Sequence, residues 1–294
     1  KFLNKEVELG DFSGIRFLGI SLNNSEIVDK QNKESQIKAD KVFVGIKPIQ
    51  SLLNQKWIIQ ISPKKAKINI DKDFFRSLNS NSNKKISKNS AIKFDLNFRL
   101  NEYADLKLND FGLDTKLRGE FIYKSFSRQI IGNIKSNFEG KGRITIKLNT
   151  NLDKDIFKIA LFSKGINLGN SFYNIGERKL EVKAGSFKSN FEFVKSPTNS
   201  SCKGKFSFDK FNFKTFDLGE DLKLDSLKFS CKENNLVAYT NTFNYGTLTS
   251  EFNINIPLNK NINNVNLEGT VRYLNSLNPD IKFYGNMPYW FDKR

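Results

Sequence analysis

Phe94-Asp95-Leu96-Asn97-Phe98-Arg99-Leu100 alternates large apolar and polar residues without a break. Successive side chains of an extended strand point to opposite faces, so this stretch reads as a strand with one apolar and one wet face. The same period recurs on both sides of it. Ile144, Ile146 and Leu148 form one further run, and Phe252, Ile254, Ile256 and Leu258 another. Shorter runs are Val42-Val44-Ile46, Ile68-Ile70, Leu106-Leu108, Leu180-Val182-Ala184, Phe191-Phe193 and Val265-Leu267, taken at alternate positions. Lys, Asn, Asp, Thr or Ser fills most positions between them. About 16–18 strands are expected, separated by Asn, Gly, Asp and Ser turn signals. Inward parity places Phe94, Leu96, Phe98, Ile144, Ile146, Leu148, Phe206, Phe208, Phe252, Ile254 and Ile256 on the apolar side. Lys93, Lys147 and Asn253 fall on the wet side.

Helical spacing is nearly absent. Pro48-Ile49-Gln50-Ser51-Leu52-Leu53 has Pro at a first-turn position and apolar residues three and four apart, which predicts a short helix. A second helical turn is expected at Asp73–Leu78. Residues 79–90 are Ser, Asn and Lys with one Ile, and are expected to be a flexible, protease-sensitive loop. It divides an N-terminal β segment, residues 1–78, from a longer one, residues 91–294.

Many antiparallel strands, each apolar on one side, leave three architectures: a two-sheet sandwich, a closed barrel, or one long curved sheet. At about 4.8 Å per strand, some 17 strands in one sheet would run roughly 80 Å. Such a sheet must twist and curl, and curling turns its apolar face into a gutter.

The 294 residues include 28 Phe, no His and two Cys, and carry a formal net charge of +17. Without His there is no Ser-His-Asp or Cys-His nucleophile and no His metal ligand. Two Cys alone cannot hold a structural zinc, and no phosphate-binding G-x-x-x-x-G-K-S/T loop occurs. The carboxylate pairs Asp71/Asp73 and Glu220/Asp221 lie in turns, where acidic residues are ordinary, so no enzyme and no cofactor is expected. The net charge favours acidic partners or a solvated Lys-rich face. The basic residues are spread along the whole chain, with no dense cluster and interleaved aromatics of the kind a nucleic-acid groove needs. No stretch approaches the roughly 20 apolar residues of a spanning helix. A chain that begins at Lys1 without Met reads as a fragment, and the sequence leaves open whether a signal or anchor stood upstream of it.

The cysteines carry a register prediction. Apolar parity breaks between Phe208 and Phe211 and again between Leu224 and Leu227. A hairpin that pairs Phe206 with Phe229 and Phe208 with Leu227 also pairs Phe211 with Leu224 and Phe213 with Leu222. Cys231 then faces Gly204 and Cys202 is its diagonal neighbour. Diagonal neighbours are about 7–8 Å apart, beyond easy disulfide reach, so two unbonded thiols are expected on the apolar face.

The first 80 residues carry a resemblance. Val7–Gly14 leads into Ile15–Leu22. Next come Ile37-Lys38-Ala39-Asp40-Lys41-Val42-Phe43-Val44, the Pro48–Leu53 turn, Trp57–Pro63 and Lys67-Ile68-Asn69-Ile70-Asp71. This order resembles the start of TamB and AsmA-like proteins: a V-x-(I/L)-G strand, a G-(I/L) strand, an (A/V)-D-x-(V/I)-x-V strand, a helix ending in Leu-Leu, and a strand pair around a proline. The match covers about a quarter of the chain; the rest agrees only as repeated amphipathic strands. The cyanobacterial members are the most similar in character. The resemblance implies an inner-membrane-anchored bridge in the periplasm whose taco-like β groove conducts phospholipid toward the outer membrane and supports outer-membrane assembly. It implies acyl chains as ligand and outer-membrane assembly proteins as partners. The alternative is an extracellular β-sandwich or β-solenoid binding module without lipid.

Overall fold

The computed structural model describes residues 5–29, 35–70, 93–108, 113–175, 178–215, 219–232, 234–258, 264–273 and 281–288. Among these residues the chain forms eighteen β-strands and one six-residue helix, α1, Pro48–Leu53. The expected turn at Asp73–Leu78 and the expected loop at 79–90 lie outside the described residues. The chain divides into two compact units: residues 1–139 with 145–154, and residues 140–144 with 155–294.

In the first unit, β1 (Lys5–Glu8) and β2 (Phe12–Arg16) both pair with β3 (Gly19–Asp29). The sheet continues through β4 (Ser35–Ile46), β5 (Trp57–Ile70), β6 (Phe94–Leu108), β7 (Leu113–Lys124) and β8 (Gln129–Phe138). All these pairs are antiparallel except β5–β6, which is parallel, a correction to the uniformly antiparallel expectation. Tight turns join antiparallel neighbours, whereas a parallel pair needs a crossover of a dozen or more residues. Residues 71–93 supply that length.

In the second unit, β10 (Ile156–Asn167) and β11 (Ser171–Ile175) share β12 (Arg178–Lys195) as partner. Then β13 (Ser200–Thr215), β14 (Leu222–Lys232), β15 (Asn235–Tyr245), β16 (Leu248–Pro257), β17 (Asn264–Tyr273) and β18 (Ile281–Pro288) follow in antiparallel order. Between the two runs of strands, β9 (Gly142–Asn151) gives residues 145–151 to the first unit and 142–144 to the second.

The β13–β14 register is the one read from the sequence: Phe206↔Phe229, Phe208↔Leu227, Phe211↔Leu224 and Phe213↔Leu222. The thiols, however, are joined. Cys202 and Cys231 form a disulfide with Cα atoms 5.7 Å apart, which corrects the expectation of free cysteines. That expectation assumed a regular ladder out to Gly204. Instead the β13–β14 pairing begins at Lys205↔Ser230, and Gly204 takes a φ of +92° with its Cα against β12. A Cβ at this position would lie 2.1 Å from the Asn190 carbonyl oxygen. This bend brings Cys202 within bonding distance while the register beyond it is kept. A cross-link spanning 29 residues should restrict the unfolded chain by about 3–4 kcal/mol. The Cys202→Ser/Cys231→Ser double variant is therefore expected to lose about that much stability in urea unfolding. An unchanged midpoint would show that the bond contributes nothing.

Candidate functional site

Each unit carries an apolar sheet face built from cross-strand rows. In the first unit, Ile20, Val44, Ile61, Phe98 and Phe121 are directly opposed in successive strands. A second row runs Ile46, Ile59, Leu96, Tyr123 and Ile130. Trp57 opposes Phe94, whose ring lies 6.5 Å from that of Tyr123. Leu148 reaches the same face, since a Cβ on Gly132 would touch both Phe121 and Leu148. Ile146 shares its parity with Leu148. Farther along the strands, Ala39, Ala66, Leu100, Ala104 and Leu117 are buried together, with Val42, Phe98 and Ile134 packed on them.

The second unit's face is dominated by phenylalanine. Phe206 stacks on Phe229 with ring centroids 4.7 Å apart, and Phe191 meets Phe206 at 5.2 Å. Phe187 meets Phe208 at 5.1 Å. Phe208, Phe211 and Phe213 continue the series at 5.7 and 5.2 Å. Register carries the face onward: Cys231 opposes Leu236, which opposes Ile256, and Ala238 opposes Ile254. Phe252 closes on Phe243 at 5.5 Å.

Ten of the eleven residues expected on the apolar side thus fall on such a face. Phe94, Leu96, Phe98, Ile146 and Leu148 lie on the face in the first unit, and Phe206, Phe208, Phe252, Ile254 and Ile256 on the face in the second. Ile144 belongs to the second unit and is half-buried. Sequence reading missed Phe121, Tyr123, Phe187 and Phe243 as face residues. Phe187 has polar residues on both sides, a weak form of the same alternation.

The faces persist along long strands because alternation is reset in several strands at one level. In the first unit Asn23↔Lys41↔Lys64 is followed directly by Ser25↔Ala39↔Ala66. Asn24 and Lys65, between these rungs, have φ of +48°, and Val42 and Ala39 share one cluster despite opposite parity. In the second unit Gly185 (φ +141°) and Lys210 (φ +50°) sit at the corresponding step, with Asp225 across from Lys210. Phe208 and Phe211 therefore meet although three positions apart. A bulge between Ala238 and Asn241 extends the step into β15. There the Lys228 N–H donates to Asn241 Oδ1 and Asn241 Nδ2 donates to the Phe252 carbonyl, both at 3.3 Å.

The opposite faces are not uniformly wet. Asp95 and Asn97, expected toward solvent, are buried. Lys56 Nζ lies 2.6 Å from Asp95, and Asn97 donates to Glu120, so longer neighbours cover these short side chains. Phe43 lies on this side and fills the space above Gly19 and Gly45, where a Cβ would come within 2.6 Å of its ring. Lys93 and Lys147 are exposed as expected, and Asn253 is half-buried. Of the acidic pairs, Asp71 and Asp73 lie outside the described residues. Asp221 is held by Lys183 at 2.8 Å, and Glu220 is exposed. Among the described residues no group of three His, Cys, Asp or Glu side chains is arranged to hold a metal ion.

Compared with protein-family models, curated proteins and solved structures, the chain matches none.

Asp209 anchors the step at Lys210. It accepts from Lys188 at 3.0 Å, Ser226 at 3.1 Å and Ser207 at 3.4 Å. Burial pushes its carboxyl up, but these hydrogen bonds and the Lys188 charge outweigh burial and hold it below the usual aspartate range. A carboxyl whose folded pKa is lowered adds stability above its unfolded value and loses it as pH falls through the folded one. Unfolding stability should therefore drop as pH falls below about 4, and an Asp209→Asn variant should show a shallower drop in urea titrations between about pH 6 and 3. Parallel pH profiles would remove Asp209 from the account.

Proposed function

We propose that the apolar faces bind the acyl chains of phospholipids, and that this chain is a non-catalytic periplasmic segment of a lipid-conducting bridge between inner and outer membranes. One observation carries the reading: no described phenylalanine is buried. The largest fully buried side chains are instead Val182, Val237, Asn241, Ser21 and Ser250. A sheet face packed on a second sheet buries its large aromatics most deeply, because they remove most apolar area from water. Here the rings lie side by side, touching each other and half-open above. An apolar face must be covered by something, and acyl chains fit a broad, half-open face made mostly of phenylalanine and aliphatic side chains. The membranes and the direction come from the resemblance of residues 7–71 to TamB and AsmA-like proteins, which also brings an inner-membrane anchor and outer-membrane assembly proteins as partners.

A carboxylate on the face separates this reading from a packed sandwich. Ile146→Asp in the first unit and Ile254→Asp in the second should leave the circular dichroism unchanged and cost about 1 kcal/mol or less in stability, since water reaches a half-open face. Each should cut co-purifying phospholipid, measured by mass spectrometry, and lipid photo-crosslinking in cells by roughly tenfold or more, because a charge is costly against acyl chains. Unfolding of either variant, or unchanged lipid, would defeat the groove and favour a sandwich module.

A further inference from the structure

One end of the first unit's sheet concentrates strongly exposed apolar side chains. Phe17 in the β2–β3 turn is 89% exposed, Leu52 in α1 is 81% exposed and Phe126 in the β7–β8 turn is 80% exposed. Ile49 and Leu53 of α1 and Trp57 at the start of β5 are exposed as well. Hydrogen bonds join these segments edge to edge. The Ile46 N–H donates to the Leu18 carbonyl, Lys47 to Ile58, Trp57 to Lys93, Ser125 to Phe94 and Leu152 to Arg128, at 2.9–3.0 Å. The exposed side chains therefore form one rim. The helix is fastened to it by the Ile58 N–H donating to Ser51 Oγ at 2.9 Å, and none of its residues is buried.

Charge on this rim is predominantly positive. Arg16, Lys47, Lys56, Lys93, Lys124 and Arg128 stand in or beside these segments. The acidic residues there are already engaged: Asp95 by Lys56 at 2.6 Å and Asp153 by Arg128 at 2.9 Å. Lys93 lies 5.2 Å from the centre of the Phe126 ring. At the other end of the same strands Lys116 is paired to Glu139 at 2.6 Å.

We infer that this rim docks on an anionic bilayer surface, with Phe17, Leu52, Leu53, Trp57 and Phe126 entering the headgroup region and the surrounding cations meeting lipid phosphates. Aromatic and leucine side chains ringed by Lys and Arg are the pattern of an interfacial anchor, and anionic lipid is the partner that takes both at once. An acidic protein surface would satisfy the cations and leave the aromatics in water. Trp57 borders the strand face proposed to hold acyl chains, whereas Lys47, Leu52, Leu53 and Lys93 do not belong to that face, so docking is read separately from lipid uptake through substitutions at those four residues.

The test uses the full chain with a Trp290→Phe substitution, so that Trp57 alone reports. On vesicles of phosphatidylcholine with about 30% phosphatidylglycerol as probe, the chain should co-sediment with the vesicles and Trp57 fluorescence should shift to the blue. Binding should be at least about tenfold tighter than to phosphatidylcholine alone and should weaken in high salt. Leu52→Asp/Leu53→Asp should reduce binding at least about tenfold with unchanged circular dichroism, because both side chains are exposed in the folded protein. Lys47→Glu/Lys93→Glu should remove the preference for anionic vesicles. Equal binding to both vesicle types, or variants that bind like the parent, would overturn the inference. Docking retained by a chain that carries no acyl lipid would leave the rim intact and remove the groove.

Discussion

An extended backbone turns its side chains over at every residue, and the rest of this structure follows from that two-residue period. A strand long enough to carry an apolar face past a dozen positions loses that face if the period slips by one. Several strands here exceed that length, β12 with 18 residues and β13 with 16. Each unit keeps its face by resetting the period in adjacent strands at one level. Asn24 and Lys65 do this in the first unit, Gly185 and Lys210 in the second. A left-handed conformation costs a residue such as Lys about 1–2 kcal/mol. The hydrogen bonds of Asp209 and Asn241 hold the neighbouring strands at the step in the second unit.

What covers these faces decides the protein's chemistry. Phenylalanine on a sheet finds two kinds of neighbour, other side chains on the same face and whatever lies above it. In the second unit the rings satisfy the first kind by contact along and across strands, from Phe187 to Phe252. Nothing above them brings a described phenylalanine below the surface. The small residues sink instead, because Ala39, Ala66, Ala104 and Ala238 are shaded by larger side chains beside them. Polar residues obey the same geometry on the reverse face, where Asp95 and Asn97 lie beneath Lys56 and Glu120. Burial in a single layer of sheet is thus set by side-chain length relative to neighbours as much as by polarity.

Much of this was legible in the residues. The alternation around Phe94–Leu100 predicts a strand with the observed facing, and Pro48 with Leu52 and Leu53 predicts the helix. The paired parity breaks in Phe206–Phe213 and Leu222–Phe229 predict a hairpin register to the residue. That inference worked because two strands broke at compatible places, which only one alignment satisfies. Extending the regular ladder one rung too far, to Gly204, produced the error over the cysteines. A glycine that takes positive φ bends the strand, and the bend brings Cys202 to Cys231. The parallel β5–β6 pair was equally invisible, because alternation is the same in parallel and antiparallel strands.

By itself, the sequence determined the class of structure, the facing of most strands, the helix and one register, since all of these depend on local period and short-range pairing. It determined also that no His-based catalysis or His metal site is available. Which faces meet across strands far apart in the chain, the disulfide, the burial of Asp95, and the gathering of Phe17, Leu52, Trp57 and Phe126 on one rim were decided by the tertiary structure. Those features depend on how turns and crossovers return the chain to the sheet, and distances between distant segments leave no periodic trace in the order of residues.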